Sequence, residues 1–360
     1  MSRMPLGSLP RTAPGRVGGL VEKLTPGYFA LVMASGIISV GLELRGFRVL
    51  SFALFAVCIA AYVVLVALNL WRFAAYRHAM VDDFRDPKRA FGFFTFVAGT
   101  NVLGTRAGIE GWYTLTAWLL VVSVAVWLVL GYVIPWSAVL SRSERPAVAL
   151  ANGTWFIWVV ASQSVAVSAA GLEVVFADAR PYLAILAVLS WSVGVFLYAA
   201  SAIIVALRIM LYELDPKDLD PPYWVSMGAV AITVVAGARI VEMDSAPMAD
   251  AVRGLVAGLS VVFWAFATWL IPVLVAAGVW RHYVRKVPMT YVPTLWSIIF
   301  PLGMYSVAGI YLGRADRLPI VEAIGSNWLW VALAAWVIVF VAMVRSVSRA
   351  LLTDRRRPRS

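Results

Sequence analysis

The sequence has little of what soluble chemistry uses. Among 360 residues there is one cysteine, Cys58, and two histidines, His78 and His282. A lone cysteine excludes a disulfide framework. Both histidines fall in charged connectors, and nothing resembles a metal cluster, so neither a metal nor a cofactor is expected. The motifs HExxH, GxSxG and GxxxxGK(S/T) are missing. No apolar run holds the acidic pair with which a prenyltransferase grips magnesium diphosphate, which argues against an embedded enzyme acting on a lipid or isoprenoid. No carboxylate stands in the middle of an apolar run either. Glu43 and Glu242 are terminal, and a proton-coupled carrier usually keeps an intramembrane carboxylate. Residues 1–24 have a Pro/Gly/Arg composition without an apolar core, so no cleavable signal is expected. Charged residues make up 14% of the chain, where a soluble domain has about 25%.

What the chain has is hydrocarbon: 62% of its residues are hydrophobic. Ten uncharged runs cover 24–42, 49–71, 90–105, 111–141, 146–172, 181–207, 221–238, 254–280, 287–313 and 323–344. A helix that crosses a bilayer needs about 20 apolar residues. Barrel strands are shorter and alternate, so long continuous runs mean helices. The fold class is therefore an all-α polytopic membrane protein. Its ten transmembrane helices are expected to form five helical hairpins in a pseudo-fivefold arrangement around a central pore, with ordinary close packing and no pore as the alternative. Residues 1–24 read as a cytoplasmic N-terminal segment, 25–346 as the ten-helix domain and 347–360 as a basic cytoplasmic tail. If the N-terminus is placed inside, 22 of the 30 Lys and Arg residues share its side. Both termini are then cytoplasmic, and the location is the plasma (inner) membrane. The formal charge of +11 fits an anionic lipid surface and calls for no nucleic acid.

The fivefold reading comes from the alternation of the runs. Odd runs carry Gly, Ser, Thr and Asn, while even runs are plain hydrocarbon. The odd runs also align on an aromatic: Phe29, Phe94, Trp155, Trp224 and Trp296. Seven residues later come Gly36, Asn101, Ser162, Ala231 and Gly303. A recurrence of this kind marks a repeated hairpin unit, with the odd helices inside and the even helices facing lipid or neighbours.

The ninth run carries the most distinctive segment. Pro301 has no N–H, and its ring clashes with the carbonyl of Ser297, so a kink is expected there. Phe300 sits at that bend. An apolar ring in a narrow pathway can gate by dewetting, and its weakly positive edge tolerates an anion better than a cation. Packing against lipid or other side chains is the plainer alternative. Polar candidates for the lining are Ser35, Thr100, Asn101, Asn152, Ser162, Gln163, Thr233 and Ser297, some of which will only bond between helices. Arg106, Arg239 and Glu242 are candidates for a charged outer vestibule that gathers anions, or else for interfacial residues that snorkel.

Ser297–Ala308 (SIIFPLGMYSVA) resembles the ninth helix of the tellurite-resistance/dicarboxylate transporter family. Pro26–Gly36 (PGYFALVMASG) is similar to its first helix, Phe93–Arg106 (FFTFVAGTNVLGTR) to its third and Asn152–Ala166 (NGTWFIWVVASQSVA) to its fifth. The family takes in bacterial tellurite-resistance channels, plant slow-type anion channels, fungal malate permeases and sulfite efflux pumps. The resemblance implies a homotrimer with one pore per protomer, occluded by the phenylalanine that Phe300 matches. Pro301 and Gly303 would set the kink, and Gly36 is the loose match to a first-helix glycine near the gate. The expected activity is voltage-independent passage of small inorganic or organic anions, C4-dicarboxylates among them. A proton-coupled malate/C4-dicarboxylate carrier or a sulfite or tellurite exporter is the alternative.

Overall fold

The computed structural model describes residues 16–140 and 146–352. Arg3, Arg11, Arg142, Arg145, Arg355, Arg356, Arg357 and Arg359, which carry part of the charge asymmetry, lie outside them. Every regular element among the described residues is helical.

Five inner helices are α2 (Ala30–Leu44), α5 (Phe94–Ile109), α7 (Phe156–Leu172), α9 (Val225–Val241) and α11 (Trp296–Ala315). Each is followed by a long outer helix: α3 (Arg48–Ala75), α6 (Tyr113–Ile134), α8 (Arg180–Leu211), α10 (Pro247–Val279) and α12 (Pro319–Leu352). Two short helices remain, α1 (Arg16–Glu22) and α4 (Arg77–Arg85). Among the described residues nine helices are long and apolar enough to cross a membrane. The tenth expected span, α5, is not one of them. It has only 16 residues, and Thr95, Gly99, Thr100, Asn101, Gly104, Thr105 and Arg106 dilute its hydrophobicity.

Each inner helix is entered through a 3₁₀ turn: Pro26–Phe29, Ala90–Phe93, Gly153–Trp155, Pro221–Trp224 and Pro293–Leu295. Proline suits these starts, because the first N–H groups of a helix have no internal partner. The aromatic anchors of the repeat, Phe29, Phe94, Trp155, Trp224 and Trp296, fall at the junctions of turn and helix. The outer ends repeat as well. After α2 and α5 the chain reverses through Gly46 (φ 79°) and Gly111 (φ 81°), with Phe47 N bonding back to Leu42 O and Trp112 N to Ala107 O. These left-handed caps favour glycine. After α11 the same reversal is taken by Arg317 (φ 54°), with Leu318 N bonding to Gly313 O.

The inner helices pack in sequence, α2 on α5, α5 on α7, α7 on α9 and α9 on α11, and α11 packs back on α2. The five 3₁₀ turns touch in the same cyclic order. Each inner helix also packs on the outer helix that follows it. Four inner spans bury 78–89% of their most apolar stretch, against 17–28% for the outer spans. Outer side chains such as Phe196, Met210 and Trp269 are left exposed.

Three features were not read from the sequence. The N-terminal segment contains α1, whose last carbonyl, that of Glu22, accepts from Arg72 Nε at 3.1 Å. This satisfies one orphan group of the helix end. The first inner connector contains α4, held by Arg72 and Arg89 on Asp83 at 2.7 and 3.0 Å. Helix α12 runs on to Leu352, past the point where the tail was expected to begin.

Candidate functional site

Glycine and proline set how closely the inner helices approach α11. The ring of Pro301 lies against Gly228 of α9, where a Cβ would sit 2.8 Å from it. Gly303 faces Ile37 and Ile38 of α2, again with no room for a Cβ. One helix is thus fitted to both neighbours within a single turn. Gly36 has a different role from the expected one. A Cβ there would meet Val102 of α5 and Cys58 of α3, so Gly36 lets those helices approach α2 and does not face α11.

A narrow cavity runs between the five inner helices, and all of them line it: Ile37 and Val40 from α2; Asn101, Val102 and Thr105 from α5; Ser164 and Val167 from α7; Ile232 and Val235 from α9; Met304, Val307 and Tyr311 from α11. It admits a water-sized sphere over about 20 Å³, space for a single water. No charged side chain is among the lining. On α11 the lining positions Met304, Val307 and Tyr311 share one helical face with Phe300, which lies one turn toward the 3₁₀ collar. Phe300 is 1% exposed. One turn below Ile37, Asn101 and Ser164 come Met33, Val97 and Val160, all buried. The positions one turn toward the collar on these three helices are therefore apolar, and neither they nor Phe300 are among the residues that line the cavity. Ser297 lies three residues before Phe300, on the collar side.

Of the eight polar candidates, Asn101 lines the cavity. Most of the others turn away to partners outside it. Ser35 accepts from Trp336 Nε1 of α12 at 3.0 Å. Thr100 pairs with Tyr62 of α3 at 3.0 Å. Ser162 accepts from Trp127 Nε1 of α6 at 2.9 Å. Gln163 donates to Trp191 O of α8 at 3.1 Å. Thr233 donates back to Ala229 O at 2.7 Å. Asn152 caps the Gly153–Trp155 turn, accepting from Thr154 N at 3.0 Å. Burial among helices explains the first five, since a hydroxyl or amide without water takes the nearest backbone, indole or hydroxyl partner, whereas Asn152, only half-buried, serves as a cap. The cavity's other polar groups, Thr105, Ser164 and Tyr311, were missed. Thr105 sits one helical turn from Asn101, and that spacing was the available signal.

The charged candidates separate. Arg106 is not a vestibule charge. It is 0% exposed, bonded through Nη2 to Glu43 at 3.2 Å and Glu110 at 2.8 Å, and through Nε to Ser39 at 2.8 Å. It lies over the Phe55 ring, 4.8 Å from the centroid. A buried guanidinium must be compensated, and this one ties α2, α3 and α5 together. Arg239 is placed differently. It stands one turn outward of Val235 on the cavity face of α9, over the Tyr311 ring at 5.6 Å. It pairs with Glu242 at 3.1 Å and keeps 27% of its side chain exposed. Among the described residues no group of three or more His, Cys, Asp or Glu could hold a metal.

Comparison with known proteins gives a consistent picture. A family model described as a voltage-dependent anion channel matches residues 23–344. An uncharacterized membrane protein of Mycobacterium tuberculosis strain H37Rv is 60% identical over 156 residues, 43% of this chain and 79% of that protein. An uncharacterized transporter of Methanocaldococcus jannaschii is 26% identical over 166 residues, 46% of this chain and 47% of that one. A sulfite efflux pump of Arthroderma otae is 21% identical over 351 residues, 90% of this chain and 91% of the pump.

Proposed function

The chain belongs to the voltage-dependent anion channel family, and from that premise we propose that it is an anion channel or facilitator whose conduit is the lumen of the five inner helices, closed at rest by Phe300. That it is a multi-pass membrane protein of anion transport follows from the family and the spans. The finer reading is a pseudo-fivefold ring of ten helices. It acts as a homotrimer in the plasma membrane, with both termini cytoplasmic. One observation supports it: a cavity lined from all five inner helices and free of charged side chains, with buried Phe300 one helical turn from Met304 on the same face of α11. Neutral lining suits rapid passage, because an ion held weakly can leave. Arg239 at the outer mouth would raise the local anion concentration. Charges on the inner helices lie only near their outer ends, at Glu43, Arg106, Arg239 and Arg314. A voltage sensor needs charge that crosses the field, so conduction is proposed to be voltage-independent.

The substrates proposed are small inorganic anions, sulfite-like oxyanions or C4-dicarboxylates. A second reading, export of sulfite or tellurite or proton-coupled malate carriage, draws on the likeness to a sulfite efflux pump over 90% of the chain. Uptake that collapses with the pH gradient would favour coupling, and uptake indifferent to pH favours a channel.

The test is Phe300→Ala in planar bilayers. Removing the ring is expected to raise chloride current roughly tenfold or more, which corresponds to a barrier lowered by about 1.4 kcal/mol. Unchanged current in a well-folded protein would rule out the plug.

A further inference from the structure

Most of the cavity's polar groups lie on one side, Tyr311 of α11 being the exception. The α2 and α9 walls are isoleucine and valine, whereas α5 and α7 contribute Asn101, Thr105 and Ser164. The hydrogen bonds orient the Asn101 amide. Its oxygen accepts from Ser123 Oγ of the outer helix α6 at 2.7 Å, a hydroxyl whose single proton takes this contact over the longer one to Leu120 O at 2.9 Å. Its nitrogen donates to Ser164 Oγ at 2.9 Å, and Ser164 passes its own proton to Ala161 O at 2.7 Å. An amide nitrogen carries two N–H groups, and a single donated bond is made within the described residues. The acceptor end of the amide is therefore engaged toward α6, and a donor is left for the lumen. Ser123 is fully buried and is absent from the cavity lining.

We propose that Asn101 is the lumenal anion site, where a small monovalent anion exchanges part of its water shell for an amide N–H, and that Ser123 is a positioning residue holding the amide donor-inward. The proposal rests on the lumen being the conduit. Its substrate class follows from the dimensions and the charge. Space for about one water, an amide N–H and neighbouring hydroxyls, with no cation among the lining, suit a chloride- or nitrate-sized monoanion. A dianion or a four-carbon diacid would find no cation to meet its second charge. An amide that offers its donor and turns its stronger acceptor, the carbonyl oxygen, away from the lumen also disfavours cations.

The experiment uses full-length channels opened by Phe300→Ala, with permeability ratios read from reversal potentials in chloride, nitrate and thiocyanate. Asn101→Leu keeps the bulk and removes the donor. Chloride permeability should fall about tenfold, the scale of one charge-assisted hydrogen bond. Weakly hydrated thiocyanate should fall much less, so the thiocyanate-to-chloride ratio rises. Ser123→Ala, which leaves the lining intact, should shift the ratio in the same direction by about threefold, and it serves if Asn101→Leu does not fold. Thr100→Val, whose hydroxyl faces Tyr62, should leave the ratio unchanged. Ratios unmoved by both Asn101→Leu and Ser123→Ala in conducting Phe300→Ala channels, or an equal loss for every anion, would overturn the site and leave the conduit reading standing. A silent, folded Phe300→Ala protein would overturn the conduit reading, and the site would fall with it.

Discussion

In α9 a side chain at Gly237 would run into Ser260 and Val256 of the neighbouring helix, while in α10 Gly254, Gly258 and Gly278 face open space. The same residue does two jobs in two layers. In the inner helices it sets the distance between backbones, as Gly228 does for Pro301 and Gly303 for Ile38. On the outer face of α10 it touches nothing within reach. The inner helices and the faces that pack on them, where Gly194 of α8 and Gly325 of α12 are fitted as closely, are specified by shape, and the outward face of α10 by hydrophobicity. A wall fitted this closely can enclose a cavity of one water without collapsing, and the surrounding layer can change its side chains without changing the lumen.

Three substitutions probe that contrast. The largest effect is expected at Arg106. Arg106→Met removes the charge that compensates Glu43 and Glu110, and breaking a buried ion pair costs about 3–5 kcal/mol. Thermal unfolding in detergent should show that loss, and a stable Arg106→Met protein would mean that the carboxylates are solvated. Next comes Gly228→Val, which forces a branched side chain into the Pro301 ring. Overpacking of this kind costs about 1–3 kcal/mol. Because the strain falls beside Phe300, the closed-state leak should change along with the melting temperature. Smallest is Gly258→Ala on α10. With open space around it and a helical backbone, it should stabilise by about 0.5–1 kcal/mol and leave conduction unaltered. If Gly228→Val and Gly258→Ala behaved alike, the two-layer distinction would be broken.

The sequence carried the spans well, because hydrocarbon runs long enough for a membrane have few other readings. It carried the five-part repeat through the aromatic anchors, which fall where 3₁₀ turn becomes α-helix. It did not carry the helical phase of the inner layer. Ser162 and Ser164 are two residues apart and therefore point to nearly opposite sides. One meets Trp127 and the other lines the cavity. An amphipathic helix would reveal the difference through its apolar stripe, but α7 is buried almost all round. Arg106 was misread for a related reason. Glu110, one turn away, was visible as a partner, whereas Glu43 and Ser39 come from a helix more than sixty residues earlier. Helix α5 fell short of the expected span because the polar residues that shape the lumen and the Arg106 tie are the ones that lower its hydrophobicity.

The central claim is that the inner faces border a water-filled path and the outer faces do not. Single cysteines in the Phe300→Ala channel compare the two directly, since native Cys58 is buried. A negatively charged, water-soluble methanethiosulfonate added during recording should block current through Val307→Cys, on the cavity face of α11. It should leave Trp269→Cys, which projects from α10 with 70% exposure, conducting as before. Block at neither position, or equal block at both, would contradict the account.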